Sequence, residues 1–205
     1  MRHTASGTLV IVMSLSAVLL AAPKFISTWK SPDAAGTTLA GKKVAALVIT
    51  KDINLQMSGE EALLRELAAI GITDGVAAYR MVPRAELEDA AKAKPWFERA
   101  NVEAVVTLRL VSAEKEQVYT PTYWGAPGYS SLWGYYGYGW GAVYEIGSMR
   151  EDTKVVIENL IFSVPKDKLL WAGVSETTNP ENAQKVIKDL VKQTVKQMKK
   201  EKLIR

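Results

Sequence analysis

The run KKVAALVIT at Lys42–Thr50 is short, almost wholly apolar and rich in valine and isoleucine, and Gly41 and Asp52 bound it. A run of that length between turn residues reads as a buried strand, because a buried helix needs more residues to span a core. A buried strand in turn requires amphipathic partners. Ser58–Gly71 (SGEEALLRELAAIG) supplies one, with Leu63, Leu64, Leu67 and Ile70 at helical spacing. Ser58 and Glu61 read as its capping box and Gly71 as its stop.

The pattern repeats along the chain. Gly75–Val82 reads as a second strand, and Pro83 opens a helix that continues through Leu87 and Ala91 toward Phe97, with a break at Pro95. Ala104–Tyr119 is a long third strand in which Val106, Leu108 and Leu110 alternate with Thr107 and Arg109. Thr153–Val164 and Leu169–Thr177 form a hairpin across Pro165–Lys168, and Asn179 caps a final helix with Pro180 in its first turn, running to about Lys202. The order β-α-β-α-β-β-β-α predicts an α/β (α+β) fold: a mixed five-stranded sheet with helices packed on it.

Residues 1–22 precede this domain. Arg2 and His3 lead into the apolar run Leu9–Leu20, which ends on Ala21 and Ala22, the order of a signal peptide or an N-terminal anchor. Pro23 would occupy the first position after cleavage, where signal peptidase tolerates proline poorly. Residues 23–41, with Pro23, Ser31, Pro32, Gly36 and Gly41, read as an extended tether in which Trp29 docks on the domain. Residues 42–205 are then a single domain. The expected location is the periplasm, or the inner membrane if the leader is retained.

Composition narrows the chemistry. A net charge of +4 is too small for a dedicated nucleic-acid binder. The chain has no cysteine, and its one histidine is His3 in the leader, so thiol nucleophiles, histidine triads and zinc sites of the usual kinds are excluded from the domain. No cofactor or metal is expected, and no GxGxxG, Walker or GxSxG motif is present. Glu60 and Glu61 suit a helix N-terminus, while Glu86, Glu88 and Asp89 read as a solvated face. A carboxylate-dependent glycan hydrolase, with Glu158 the acid to change, is the remote enzymatic reading; the favoured one is non-enzymatic.

The stretch YTPTYWGAPGYSSLWGYYGYGWGAVY, Tyr119–Tyr144, contains no charged residue. Glycine gives freedom, and tyrosine and tryptophan give flat amphipathic surface. It reads as an aromatic and glycine-rich loop at 119–147 that binds another envelope component, protein or cell-wall glycan, through Tyr123, Trp124, Tyr129, Trp133, Tyr135, Tyr136, Tyr138 and Trp140. Long loops are commonly functional or disordered, and a plain insertion is the alternative. Lys185, Lys188, Lys192, Lys196 and Lys199 recur every three or four residues on the last helix, opposite Ile187, Leu190, Val191 and Met198. They form an outward basic stripe: a solvated face, or with the aromatic loop a surface for an anionic membrane.

Short motifs along the mature chain resemble a family of bacterial envelope lipoproteins of unknown function. They are Ser27-Thr28-Trp29-Lys30 with Pro32 and Asp33, the Gly/Tyr/Trp stretch, Leu169-Leu170-Trp171, Ser175-Glu176-Thr177, Asn179-Pro180 and the terminal Leu203-Ile204. The element order is also similar to that of the TolB amino-terminal domain, CsgG and LpoB, a likeness of fold that carries no function. The resemblance implies an envelope location. Without a cysteine, this leader has no lipobox and cannot be lipidated.

Overall fold

The computed structural model describes residues 22–112, 127–141, 154–178 and 182–204. Its centre is a mixed sheet of six strands in the order β1-β6-β5-β4-β2-β3. The strands are β1 (Lys24–Lys30), β2 (Val44–Ile49), β3 (Gly75–Ala77), β4 (Ala104–Ser112), β5 (Lys154–Ser163) and β6 (Lys168–Thr178). β2 runs parallel to β3 and β4, and β4, β5, β6 and β1 pair antiparallel in succession. The expected α+β class stands, with one strand more than the five expected.

Helices cover both faces, which explains why every residue of β2 is buried. On one face α1 (Ile53–Ala68) and α6 (Ala183–Lys200) bury Leu63, Leu67, Leu190, Val191 and Met198 against Val44, Ala46, Val106 and Ile157. The other face holds α2 (Ala78–Met81), α3 (Ala90–Arg99), α4 (Pro127–Ser130) and α5 (Leu132–Gly141). There Phe97, Leu132, Tyr135 and Tyr136 pack on Ala45, Leu47, Leu160 and Phe162.

The additional strand comes from the expected tether. In KFISTWK exposure alternates over the first residues, and the segment pairs with β6 from Lys24 opposite Glu176 to Lys30 opposite Trp171. Its turn-forming neighbours hid that alternation. The rest of the tether is fastened too: the Ser31 amide donates to the Leu170 carbonyl and the Leu39 amide to that of Leu203. Trp29 docks as expected, against the α3/α5 side.

Several boundaries move for identifiable reasons. α1 starts at Ile53, because the Asp52 carboxylate accepts from the amides of Asn54 (2.8 Å) and Leu55 (3.2 Å) and so caps the helix ahead of Ser58. Gly71 ends it as expected, with φ +89. The second strand stops at Ala77, where the chain turns into α2. Pro83–Asp89 is a turn, and Asp89 caps α3, which passes through Pro95 unbroken. α6 is capped by Asn182, whose side chain accepts from the Lys185 amide at 2.8 Å. The expected cap at Asn179 and Pro180, the strand continuation beyond Ser112 and the leader lie outside the described residues.

Candidate functional site

Part of the aromatic stretch expected to be a loop is helical. The glycines of LWGYYGYGWG disfavour a helix. Tertiary burial overrides that preference, since Leu132, Tyr135, Tyr136, Gly139 and Trp140 of α5 are all buried against the sheet. The first turn of α5 is capped from two sides: Ser131 Oγ accepts from the Gly134 amide at 3.0 Å, and Asp167 Oδ1, from the β5–β6 turn, accepts from the Trp133 amide at 3.2 Å. Gly139 permits a close approach, for a Cβ there would lie 2.9 Å from Ile49 Cδ1.

Beneath α5 lies a charged cluster sealed from water. Arg109 on β4 and Glu158 on β5 are directly opposite and fully buried, with Arg109 Nε 2.9 Å and Nη2 2.6 Å from Glu158 Oε2. The hydroxyl of Tyr129 donates to Glu158 Oε1 at 2.8 Å, and Tyr135 Oη, 3.3 Å from Glu158 Oε2, also accepts from Arg109 Nε at 3.2 Å. Burial opposes the Arg109 charge, but Tyr135 and Glu158 outweigh it and hold its pKa above the ordinary arginine value. The ring of Tyr138, 44% exposed, covers the guanidinium at 4.9 Å.

The expected contact residues therefore divide. Tyr129, Tyr135, Tyr136 and Trp140 are buried, which corrects the reading of a presented loop: they attach α4 and α5 to the domain. Tyr138 is exposed and Trp133 is partly buried, so these two remain accessible to solvent in part. Tyr123 and Trp124 lie outside the described residues. Glu158, the acid singled out for hydrolysis, is locked in the ion pair. Glu60 does not sit at a helix N-terminus. It is buried within α1, accepting from the amides of Val48 (3.1 Å) and Tyr79 (2.9 Å) and from Gln56 Nε2 (3.1 Å). Desolvation raises its pKa to about 7 despite those hydrogen bonds.

Trp133 borders a surface groove of about 400 Å³ lined by Lys94, Glu98, Asn101, Val102, Glu103, Val164, Pro165 and Asp167. Phe97 meets Trp133 edge-on at 5.6 Å, and Lys94 Nζ lies 5.7 Å from its ring centre. Glu103 is held ionised: its hydrogen bond to Lys42, in a 3.1 Å ion pair, keeps its pKa below the usual value. A partly buried indole beside amide, ammonium and carboxylate groups suits a ligand with both apolar and hydroxyl surface. Sequence reasoning identified Trp133 but missed Lys94, Asn101 and Asp167, which come from other elements and carry no local signal.

The lysines Lys185, Lys188, Lys192, Lys196 and Lys199 are all exposed on α6, as expected. Lys185 pairs with Asp189 at 3.5 Å. Among the described residues no helix is long and apolar enough to cross a membrane, and no group of His, Cys, Asp or Glu is placed to hold a metal ion.

The sheet and its two helical layers define an α+β protein with a mixed sheet. In that fold the chain is similar to PelC from Paraburkholderia phytofirmans, solved as a dodecamer, with 14% identity over 84% of this chain and 94% of that one and a TM-score of 0.47. A leucine-to-methionine variant of the same dodecamer gives 16% identity over 82% and 94%, again with a TM-score of 0.47. A likeness at this level carries no functional argument. No protein-family model matches the sequence, and no curated protein matches it.

Proposed function

We propose that the protein is an exported envelope component that binds a glycan strand without transforming it, and that the Trp133 groove is the contact. The observation that carries this reading is the groove itself: the Trp133 indole in the wall of a 400 Å³ depression, with Asn101, Glu98, Asp167 and Lys94 around it. Sugar rings present an apolar C–H face and an equatorial ring of hydroxyls, and the groove offers a counterpart to each.

Glu103 in the groove and Glu60 in the core are both poorly suited to hydrolysis. Glycoside cleavage needs a carboxyl group with a raised pKa beside the scissile bond. Glu103 is shifted the opposite way by Lys42, while Glu60, raised to about 7, is buried among Val48, Tyr79 and Gln56. The leader and the resemblance to envelope lipoproteins support the location.

The test is an amide and indole NMR titration with soluble oligomers of the peptidoglycan glycan backbone. Saturable shifts are expected at the Trp133 indole and at the Asn101 and Asp167 amides, and Trp133→Ala should abolish saturation. Because Trp133 also packs on Phe97, Asn101→Gly, which keeps the left-handed backbone at that position (φ 53), and Glu98→Gln serve as rim variants, and both should weaken binding. Oligomers that leave the groove resonances unmoved overturn the reading.

A further inference from the structure

A second depression, of about 500 Å³, lies between the start of β1 and the second half of α6, lined by Pro23, Lys24, Phe25, Gln193, Lys196, Gln197 and Lys200. It continues a line of charge. Lys188, Lys192, Lys196 and Lys200 are spaced four residues apart and are all exposed, so they form one row along α6. Among the described residues none of the four lies within ion-pair distance of a carboxylate; the ion pair on this helix joins Lys185 to Asp189. Lys24 extends the row onto the sheet edge.

Like charges four residues apart weaken a helix. The helix dipole compensates only in the last turn, so Lys188 and Lys192 gain nothing from it. A row kept against the helix's own stability calls for an anionic counterpart. The position of the row says which one. The apolar run Leu9–Leu20 ends four residues before Lys24, a span of no more than about 14 Å of extended chain. Pro23, at the first position after the leader, disfavours its removal.

We infer that the row Lys188, Lys192, Lys196 and Lys200, together with Lys24, rests on the anionic phospholipid headgroups of the membrane that holds the retained apolar run. This contact is independent of the Trp133 groove, which is lined by α3, α5 and the β5–β6 turn, and it rests on the run staying attached. Each lysine brought near an anionic surface strengthens attachment about fivefold. The interaction fixes which way the domain faces.

The full chain in lipid nanodiscs tests this, with a gadolinium chelate on a fraction of the headgroups. In discs of phosphatidylcholine and phosphatidylglycerol in equal parts, amides of Lys24–Ile26 and of the exposed α6 row should broaden. In pure phosphatidylcholine, or at high salt, the α6 broadening should fade. Changing all five lysines to glutamine should remove it while the spectrum stays dispersed. Equal broadening in neutral discs, or broadening that survives the five substitutions, overturns the inference. The intact mass of protein recovered from cells checks the tether separately: a chain beginning at Pro23 overturns the tethered arrangement whatever the nanodiscs show, and leaves the glycan reading standing.

Discussion

Arg109 and Glu158 form an ion pair of 2.6 Å between opposite residues of adjacent strands, and neither is accessible to solvent. Removing one partner leaves an uncompensated charge in a dry interior. Arg109→Met or Glu158→Gln should therefore cost about 3–5 kcal/mol, read as a lowered midpoint in urea. Replacing both, with Arg109→Met and Glu158→Leu, should recover much of the loss, because an apolar pair needs no desolvation. A double variant as unstable as either single one would show that the cluster does more than neutralise itself.

Tyr135 and Tyr136 are neighbours on α5 and both fully buried, yet their hydroxyls differ in circumstance. Tyr135 Oη bonds to Arg109 and Glu158, whereas Tyr136 Oη meets no partner in hydrogen-bonding geometry among the described residues, the nearby Trp140 indole included. Tyr135→Phe should lower stability by about 1–3 kcal/mol. Tyr136→Phe removes an unsatisfied group and should leave the melting temperature unchanged or raise it. Equal losses in the two variants would contradict this assignment.

Glu60 gives the domain a specific response to pH. Its ordinary pKa of 4.5 rises to about 7 in the folded state, so between these values the folded protein holds a proton that the unfolded chain has released. The resulting stabilisation is complete below about pH 4.5, falls as pH rises through 7, and levels off above it; its full size is on the order of 3 kcal/mol. The only histidine of the chain is His3, outside the described residues, so few other groups titrate in this window. Urea midpoints at pH 5, 6, 7 and 8 should decline for the natural protein and stay flat for Glu60→Gln. Parallel curves would refute the assignment.

Gly173 on β6 lies under the edge-on pair of Phe25 and Trp171, whose ring centroids are 5.7 Å apart. A Cβ at this position would sit 2.6 Å from Phe25 Cε1 and would also collide with Trp171. Rigid rings yield poorly, so Gly173→Ala should cost about 1–3 kcal/mol. The loss should be concentrated at the sheet edge, with faster hydrogen exchange at the β1 amides. Unchanged exchange there would show that the rings reorganise freely.

Local pattern was enough for β2, the β5–β6 hairpin, the α1 stop at Gly71 and the basic face of α6, because each follows from spacing within a few residues. It was insufficient where distant contacts decide the outcome. α5 contains Gly134, Gly137, Gly139 and Gly141 and is a helix only because the sheet buries its aromatic side. β1 has the alternation of a strand, but turn residues surround it. Thr107 and Arg109 looked like the polar side of a half-exposed strand, and both are buried under the second helical layer. The groove's Lys94, Asn101 and Asp167 are brought to Trp133 by tertiary structure alone.

β1 carries a consequence for the order of assembly. Its partner is β6, with Lys24 opposite Glu176, so the strand synthesised first is among the last to be paired. In a chain that crosses a membrane amino-terminus first, the sheet cannot close until nearly every residue has passed. If the chain is exported as proposed, β1 would stay unpaired through the whole crossing, and the domain would be completed only on the far side.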